Sequence, residues 1–170
     1  MDAVLIATGA RPTDGLGEET DLPELRKLVC RPWIEHVVEQ LAARGVGRFT
    51  VLLCDRPEEV RRVLGNGERW GVTVSFQTVR DPGRPYNRLK AVAGNADGGR
   101  ILLAHADRLP DLSGVDSFER VASDGPVLFE TAANGTSGAP SEGARFTGYA
   151  VLDPDCFNSL TAKTTEATLA

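Results

Sequence analysis

The sequence predicts an α/β sandwich with a mainly parallel sheet. Three observations carry this. Short, continuously apolar runs such as AVLIA (3–7), FTVLLC (49–54) and ILLAHAD (101–107) read as strands buried on both faces. Segments with helical periodicity separate them, at spacings that suit right-handed crossovers. No internal repeat competes with this layout.

AVLIA ends at Thr8-Gly9 and enters a loop that runs to about Val29, long for a compact domain and therefore read as functional or disordered. RPWIEHVVEQLAARGVGRF follows. Pro32 stands where a first helical residue would, Ile34, Val37, Val38, Leu41 and Ala42 share one face, and Gly45 supplies the stop. FTVLLC is the second strand. Asp55 and Glu58 resemble a capping box opening a short helix through Leu64, closed by Gly65. VTVSFQT alternates and is rich in β-branched residues, giving a third strand. RPYNRLKAVAGNA puts Leu89, Val92 and Ala93 on one helical face, and ILLAHAD forms the fourth strand with Asp107 just past its end. PVLFE and FTGYAVLD read as further strands, the latter turning at Asp153-Pro154. Residues 1–160 read as one domain and 161–170, polar and small, as a tail or domain boundary.

At 170 residues, with 41% hydrophobic and 25% charged residues, the composition is that of an ordinary globular domain. A net charge of -5 argues against a nucleic-acid or anionic-membrane surface. No apolar run approaches the roughly 20 residues of a membrane helix. The N-terminal stretch lacks the basic start of a secretory leader, so a cytoplasmic location is the expectation. Cys30, Cys54 and Cys156 are odd in number and widely spaced, which suits buried thiols rather than disulfides or a zinc site.

In open α/β sheets, ligands bind beyond the carboxyl ends of the strands, where strand order reverses. The Gly9–Gly17 loop and Asp107 fall there. Amides of a glycine-containing loop can approach a phosphate, and a strand-end carboxylate can hold Mg²⁺. By themselves these features read equally as a surface connection and a turn aspartate. His36 and His105 read as structural, Trp33 and Trp70 as packing residues, and Arg56, Arg61 and Arg62 as a solvated helix face.

The segments AVLIATG, VCRPWIEHVVEQLAARGV, VLGNGERWGVTVSFQ, RILLAHADRL and FTGYAVLDPDCF, in this order, resemble the sugar-1-phosphate nucleotidyltransferases over most of residues 3–157. The resemblance implies a three-layer α/β/α Rossmann-like fold. It also implies a site in which Ala7, Thr8, Gly9, Ala10, Gly83 and Asn87 meet nucleotide and Asp107 holds Mg²⁺. The family's first loop has the form G-x-G-T-R-L. Here Arg11, Pro12 and Thr13 occupy the next Gly, Thr and Arg positions, and Pro12 lacks the N–H that a phosphate cradle uses. Glu24 stands at the family's phosphate-binding Lys, where its charge would repel phosphate. Arg11 and Lys27, with Arg26 beside it, are the cations that can substitute from shifted registers. Arg84 and Tyr86 alter the pocket next to Gly83, and the family's second metal aspartate falls after the stretch that ends at Asp155.

Packing segments kept beside altered phosphate-handling residues predict a catalytically impaired domain. It would bind a nucleotide or nucleotide sugar, as a sensor or as a scaffold within a homo-oligomer or larger polysaccharide or cell-envelope assembly. An active Mg²⁺-dependent sugar-1-phosphate nucleotidyltransferase is the alternative, and a relative using CTP or GTP on a different acceptor is a third reading.

Overall fold

The computed structural model describes residues 1–9, 22–82, 84–89, 92, 99–109, 112, 115–120, 127–131 and 145–153. Its centre is a six-stranded sheet in the order β5-β4-β1-β6-β8-β7. The strands are β1 (Asp2–Ala7), β4 (Arg48–Leu53), β5 (Thr73–Thr78), β6 (Ile101–His105), β7 (Val127–Thr131) and β8 (Arg145–Leu152). β5, β4, β1 and β6 run parallel, while β8 lies antiparallel to both β6 and β7. A two-residue pair, β2 (Lys27–Leu28) with β3 (Arg31–Pro32), forms a separate small hairpin.

β1 is apolar throughout because both of its faces are covered. Ala3, Leu5 and Ala7 join a core with α1 (Trp33–Ala42) and α2 (Pro57–Leu64). Val4 and Ile6 face the other way, into a core with Tyr86, Leu89 and Val92. The two crossovers from β1 to β4 and from β4 to β5 thus use one face. The return from β5 to β6 reverses direction and uses the other, so all three share one hand. Fully burying each of α1's Ile34, Val37, Val38 and Leu41, all at 0% exposure, contributes about 1.5–3 kcal/mol.

Charged groups on the α1 side are matched. Glu35, buried on α1, receives Arg31 Nε at 3.3 Å and Arg69 Nη2 at 2.8 Å. Arg69 also donates to the Val63 carbonyl at 2.6 Å and stacks 3.9 Å over Trp70. This one guanidinium therefore joins α1, α2 and the 3₁₀ turn Glu68–Trp70, which explains the role of the NGERW segment.

All six strands match the sequence expectation, and three local details differ. α1 starts at Trp33, with Pro32 as its cap residue. The capping box does not form: Arg56 caps α2 in a left-handed conformation (φ 37°), while Asp55 Oδ1 accepts only from the Arg56 N–H, at 3.0 Å. The loop after β1 regains order early, in the 3₁₀ turn Pro23–Leu25 and the β2–β3 hairpin. Cys30, expected to be buried, is exposed at the tip of that hairpin, whereas Cys54 is half-buried. Among the described residues, no helix is long and apolar enough to cross a membrane. Cys156 and the 161–170 tail lie outside the described residues.

Candidate functional site

Because four neighbouring strands are parallel, their carboxyl ends share one edge of the sheet. β4 and β5 lie to one side of β1 and β6 to the other, so strand order reverses beside β1, where a crevice opens in folds of this kind. Hydrogen bonds draw the residues that follow these strands together. The Ala106 N–H donates to the Ile6 carbonyl at 2.9 Å, the Val79 N–H donates to the Leu53 carbonyl at 2.7 Å, and the Thr8 hydroxyl donates to the Pro82 carbonyl at 3.3 Å. The last of these ties Pro82 to the end of β1.

Gly9 fixes how the chain returns to this edge. Its φ of +65° lies in the left-handed region, and a Cβ there would come within 2.7 Å of Leu22 Cδ2. Only glycine lets Leu22 pack this close, and Leu22 leads directly into the turn Pro23–Leu25. That turn carries Glu24, which is 2% exposed. Glu24 Oε1 has no hydrogen-bond partner among the described residues. Burial pushes its carboxyl from the usual 4.5 up to about 7; its own backbone N–H and Arg56 work against the rise, while Asp107 and Asp55 add to it.

Next to this turn is a cleft of about 410 Å³, lined by Leu22, Leu25, Arg26, Lys27, Arg56 and Glu59. Three cations face it, and Arg56 Nη1 lies 3.6 Å from Glu59. Such a surface suits an anion with several charged oxygens, the geometry in which Arg and Lys bind phosphate.

On the β6 side, Asp107 is half-buried just past the strand end. Tyr149, fully buried, donates its hydroxyl to the Arg108 carbonyl at 2.9 Å, and burial together with Asp107 pushes its phenol well above the ordinary value. Gly148 (φ +91°) lies at a register shift between β7 and β8. A Cβ there would meet Arg108 Cδ at 2.8 Å, so its absence lets Arg108 cross the strand.

The sequence-predicted residues are thereby sorted. Ala7, Thr8, Gly9 and Asp107 sit on the shared edge, and Lys27 lines the cleft. Asn87 lies in the 3₁₀ turn Pro85–Arg88. Ala10, Arg11 and Gly83 lie outside the described residues. His105 points to the far face, where its Nε2 is 3.0 Å from the Tyr86 hydroxyl, both residues being buried; it is a satisfied core histidine. His36 Nε2 bonds the Leu28 carbonyl at 3.1 Å and ties α1 to the hairpin.

Glu24, expected to repel phosphate by its charge, is buried, and burial favours its neutral form. Arg56 is exposed as expected but caps α2 and also lines the cleft, whereas Arg61 lies along α2, pairing with Glu58 at 3.5 Å and stacking 5.5 Å from the Phe76 ring centroid. Arg56 follows the end of β4 by three residues, so the strand-end rule applied to β1 and β6 could have found it.

No protein-family model matches the sequence, and no curated protein matches it either. Solved structures do match. HddC from Yersinia pseudotuberculosis has a TM-score of 0.74 at 14% identity, over 96% of this chain and 82% of its own; its complex with GMP-PN gives 0.72. A proposed glucose-1-phosphate thymidylyltransferase from Bacillus anthracis, solved with sucrose, gives 0.72 at 16% identity over 98% and 77%. The inositol-1-phosphate CTP transferase from T. maritima gives 0.66 at 12% identity over 96% and 76%. At these identities the likeness is one of fold: the chain has the fold of sugar-1-phosphate nucleotidyltransferases.

Proposed function

We propose that this chain is a nucleotidyltransferase-like domain that binds a nucleoside triphosphate or nucleotide sugar at the carboxyl edge of its sheet, with group transfer impaired. The observation that carries this is the cleft in which Arg26, Lys27 and Arg56 converge beside Leu22, the residue packed on Gly9. In this reading the three cations neutralise the phosphates. Charge-assisted contacts of this type contribute about 1.5–3 kcal/mol each. HddC, which shares the fold, is known in complex with GMP-PN, which supports a nucleotide as the ligand class.

Mg²⁺ fits the same edge. Asp107 supplies a hard oxygen donor just past the end of β6. Asp107 would hold the ion, whose chemistry there would be to offset phosphate charge. The impairment rests on residue types: Pro12 offers no N–H to a phosphate, Thr13 replaces a loop Arg, and Glu24 replaces a Lys.

The test is a calorimetric titration of the purified chain with each common NTP and Mg²⁺, coupled to a pyrophosphate assay with a panel of sugar 1-phosphates. Binding of at least one nucleotide without pyrophosphate release is the expected result. Release that Asp107→Ala abolishes would instead identify an active transferase. Absence of binding to every nucleotide and nucleotide sugar would refute a ligand-binding role.

A further inference from the structure

We infer that Glu59 is a specificity-determining residue of the cationic cleft: its carboxylate penalises a bound anion in proportion to that anion's charge. The inference deepens the nucleotide-binding reading and rests on it for the presence of phosphates in the cleft. The cleft of about 410 Å³ has two walls. One is the turn and hairpin that carry Leu22, Leu25, Arg26 and Lys27; the other is the start of α2, with Arg56 and Glu59. Backbone hydrogen bonds hold both walls. The Arg26 N–H donates to the Pro23 carbonyl at 3.3 Å, and the Trp33 N–H donates to the Arg26 carbonyl at 2.7 Å. On the α2 wall, the Glu59 N–H donates to the Arg56 carbonyl at 3.0 Å, and the left-handed backbone of Arg56 (φ 37°) opens the helix. This i, i+3 step brings the two side chains together, with Arg56 Nη1 3.6 Å from Glu59 Oε1.

Among the described residues that line the cleft, Glu59 is the one carboxylate, set beside three cations. The side chains of Arg56 and Glu59 are 38% and 43% exposed, so their pairing contributes little to stability. Its effect falls on the ligand instead. A phosphate that takes up Arg56 has to enter beside the Glu59 charge. The repulsion scales with the product of the charges, so a bare triphosphate, with about twice the charge of orthophosphate, meets about twice the penalty. A divalent ion on the triphosphate lowers its charge and with it the penalty. Glu59 therefore tilts the cleft toward the metal-chelated triphosphate and away from the bare one. Glu58, the preceding residue, is a control of equal charge. It is 75% exposed, pairs with Arg61 at 3.5 Å and does not line the cleft.

The experiment titrates the full chain with tripolyphosphate and with orthophosphate, both in EDTA, following backbone amide shifts by NMR. Glu59→Gln, which keeps the shape and removes the charge, should strengthen tripolyphosphate roughly tenfold and orthophosphate only roughly threefold. Glu58→Gln should change either by less than about twofold. The gain in Glu59→Gln should shrink in about 0.5 M NaCl, as screening requires. Unchanged or weaker tripolyphosphate binding in Glu59→Gln overturns the inference. So does an equal gain in Glu58→Gln, an equal gain for both anions, or a gain that salt leaves intact. Nucleoside triphosphates titrated alongside separate the two readings. A charge-dependent gain for tripolyphosphate, with no nucleoside triphosphate bound by either protein, sinks the nucleotide reading and supports this one. Nucleoside triphosphate bound equally by the wild type and Glu59→Gln does the reverse, and binding of none of these anions overturns both.

Discussion

Two buried glutamates, Glu35 on α1 and Glu24 at the edge of the sheet, have opposite surroundings. Glu35 is held by two guanidinium groups, one of which also grips α2 and Trp70. Glu24 is more deeply buried, has an oxygen with no partner among the described residues, and lies near two other carboxylates. The α1 side carries the fold, and its charges are matched within the protein. At the carboxyl edge, burial instead raises the Glu24 carboxyl. A fold that has only to stand gains nothing from the second arrangement.

The largest effect should come from breaking the matched side. Glu35→Ala removes the carboxylate partner of Arg69, while Arg31 keeps Glu39, and should cost about 2–4 kcal/mol, read as a lower urea midpoint at constant slope. A cost under ~1 kcal/mol would place Glu35 among ordinary surface ion pairs. On the other side, Lys27→Glu or Arg56→Glu should weaken triphosphate binding by roughly 10- to 100-fold, about 1.5–3 kcal/mol, with stability nearly unchanged. Equal losses of stability and binding would show that these cations hold the fold together instead.

Glu24 sharpens the contrast through pH. Its carboxyl is raised from 4.5 to about 7 in the folded chain, so between those values the folded state holds more protons than the unfolded. Its contribution to stability is therefore full below about pH 4.5, falls as pH rises to about 7, and is flat above. In metal-free buffer at pH 8, Glu24→Gln should be about 1–3 kcal/mol more stable than the wild type. The gap should close toward pH 4.5, as thermal melts across pH would show; a gap independent of pH would mean that the carboxyl is not the cause. The smallest effect concerns Val29, 86% exposed at the hairpin tip with φ 62°. Val29→Gly should stabilise the chain by roughly 0.5–1 kcal/mol by relieving a left-handed β-branched residue, and a loss would show that the tip is not strained.

The strands were legible because burial on both faces leaves a continuous apolar run, as in AVLIA and ILLAH. The hairpin Lys27–Pro32 was not, since its turn residues Val29 and Cys30 carry none of the Gly or Asn signals of a two-residue turn. The cap of α2 was misread because Asp55 and Glu58 have the right spacing, yet Arg56 takes up the left-handed backbone that opens the helix. At the candidate site, Gly9 and Asp107 were legible from strand ends alone. Glu24 looked like a repelling surface charge because its burial depends on Leu22 closing onto Gly9, a contact set by the tertiary fold and invisible in local sequence. Arg26 and Lys27 look like any exposed basic pair until the same closure forms the cleft with Arg56.

The most direct measurement is a crystal structure of the chain with a nucleoside triphosphate and Mn²⁺, using anomalous scattering to locate the metal. The account predicts phosphates against Arg26, Lys27 and Arg56, with a Mn²⁺ peak at Asp107. Triphosphate bound elsewhere on the molecule, or bound here with Mn²⁺ away from Asp107, would contradict it.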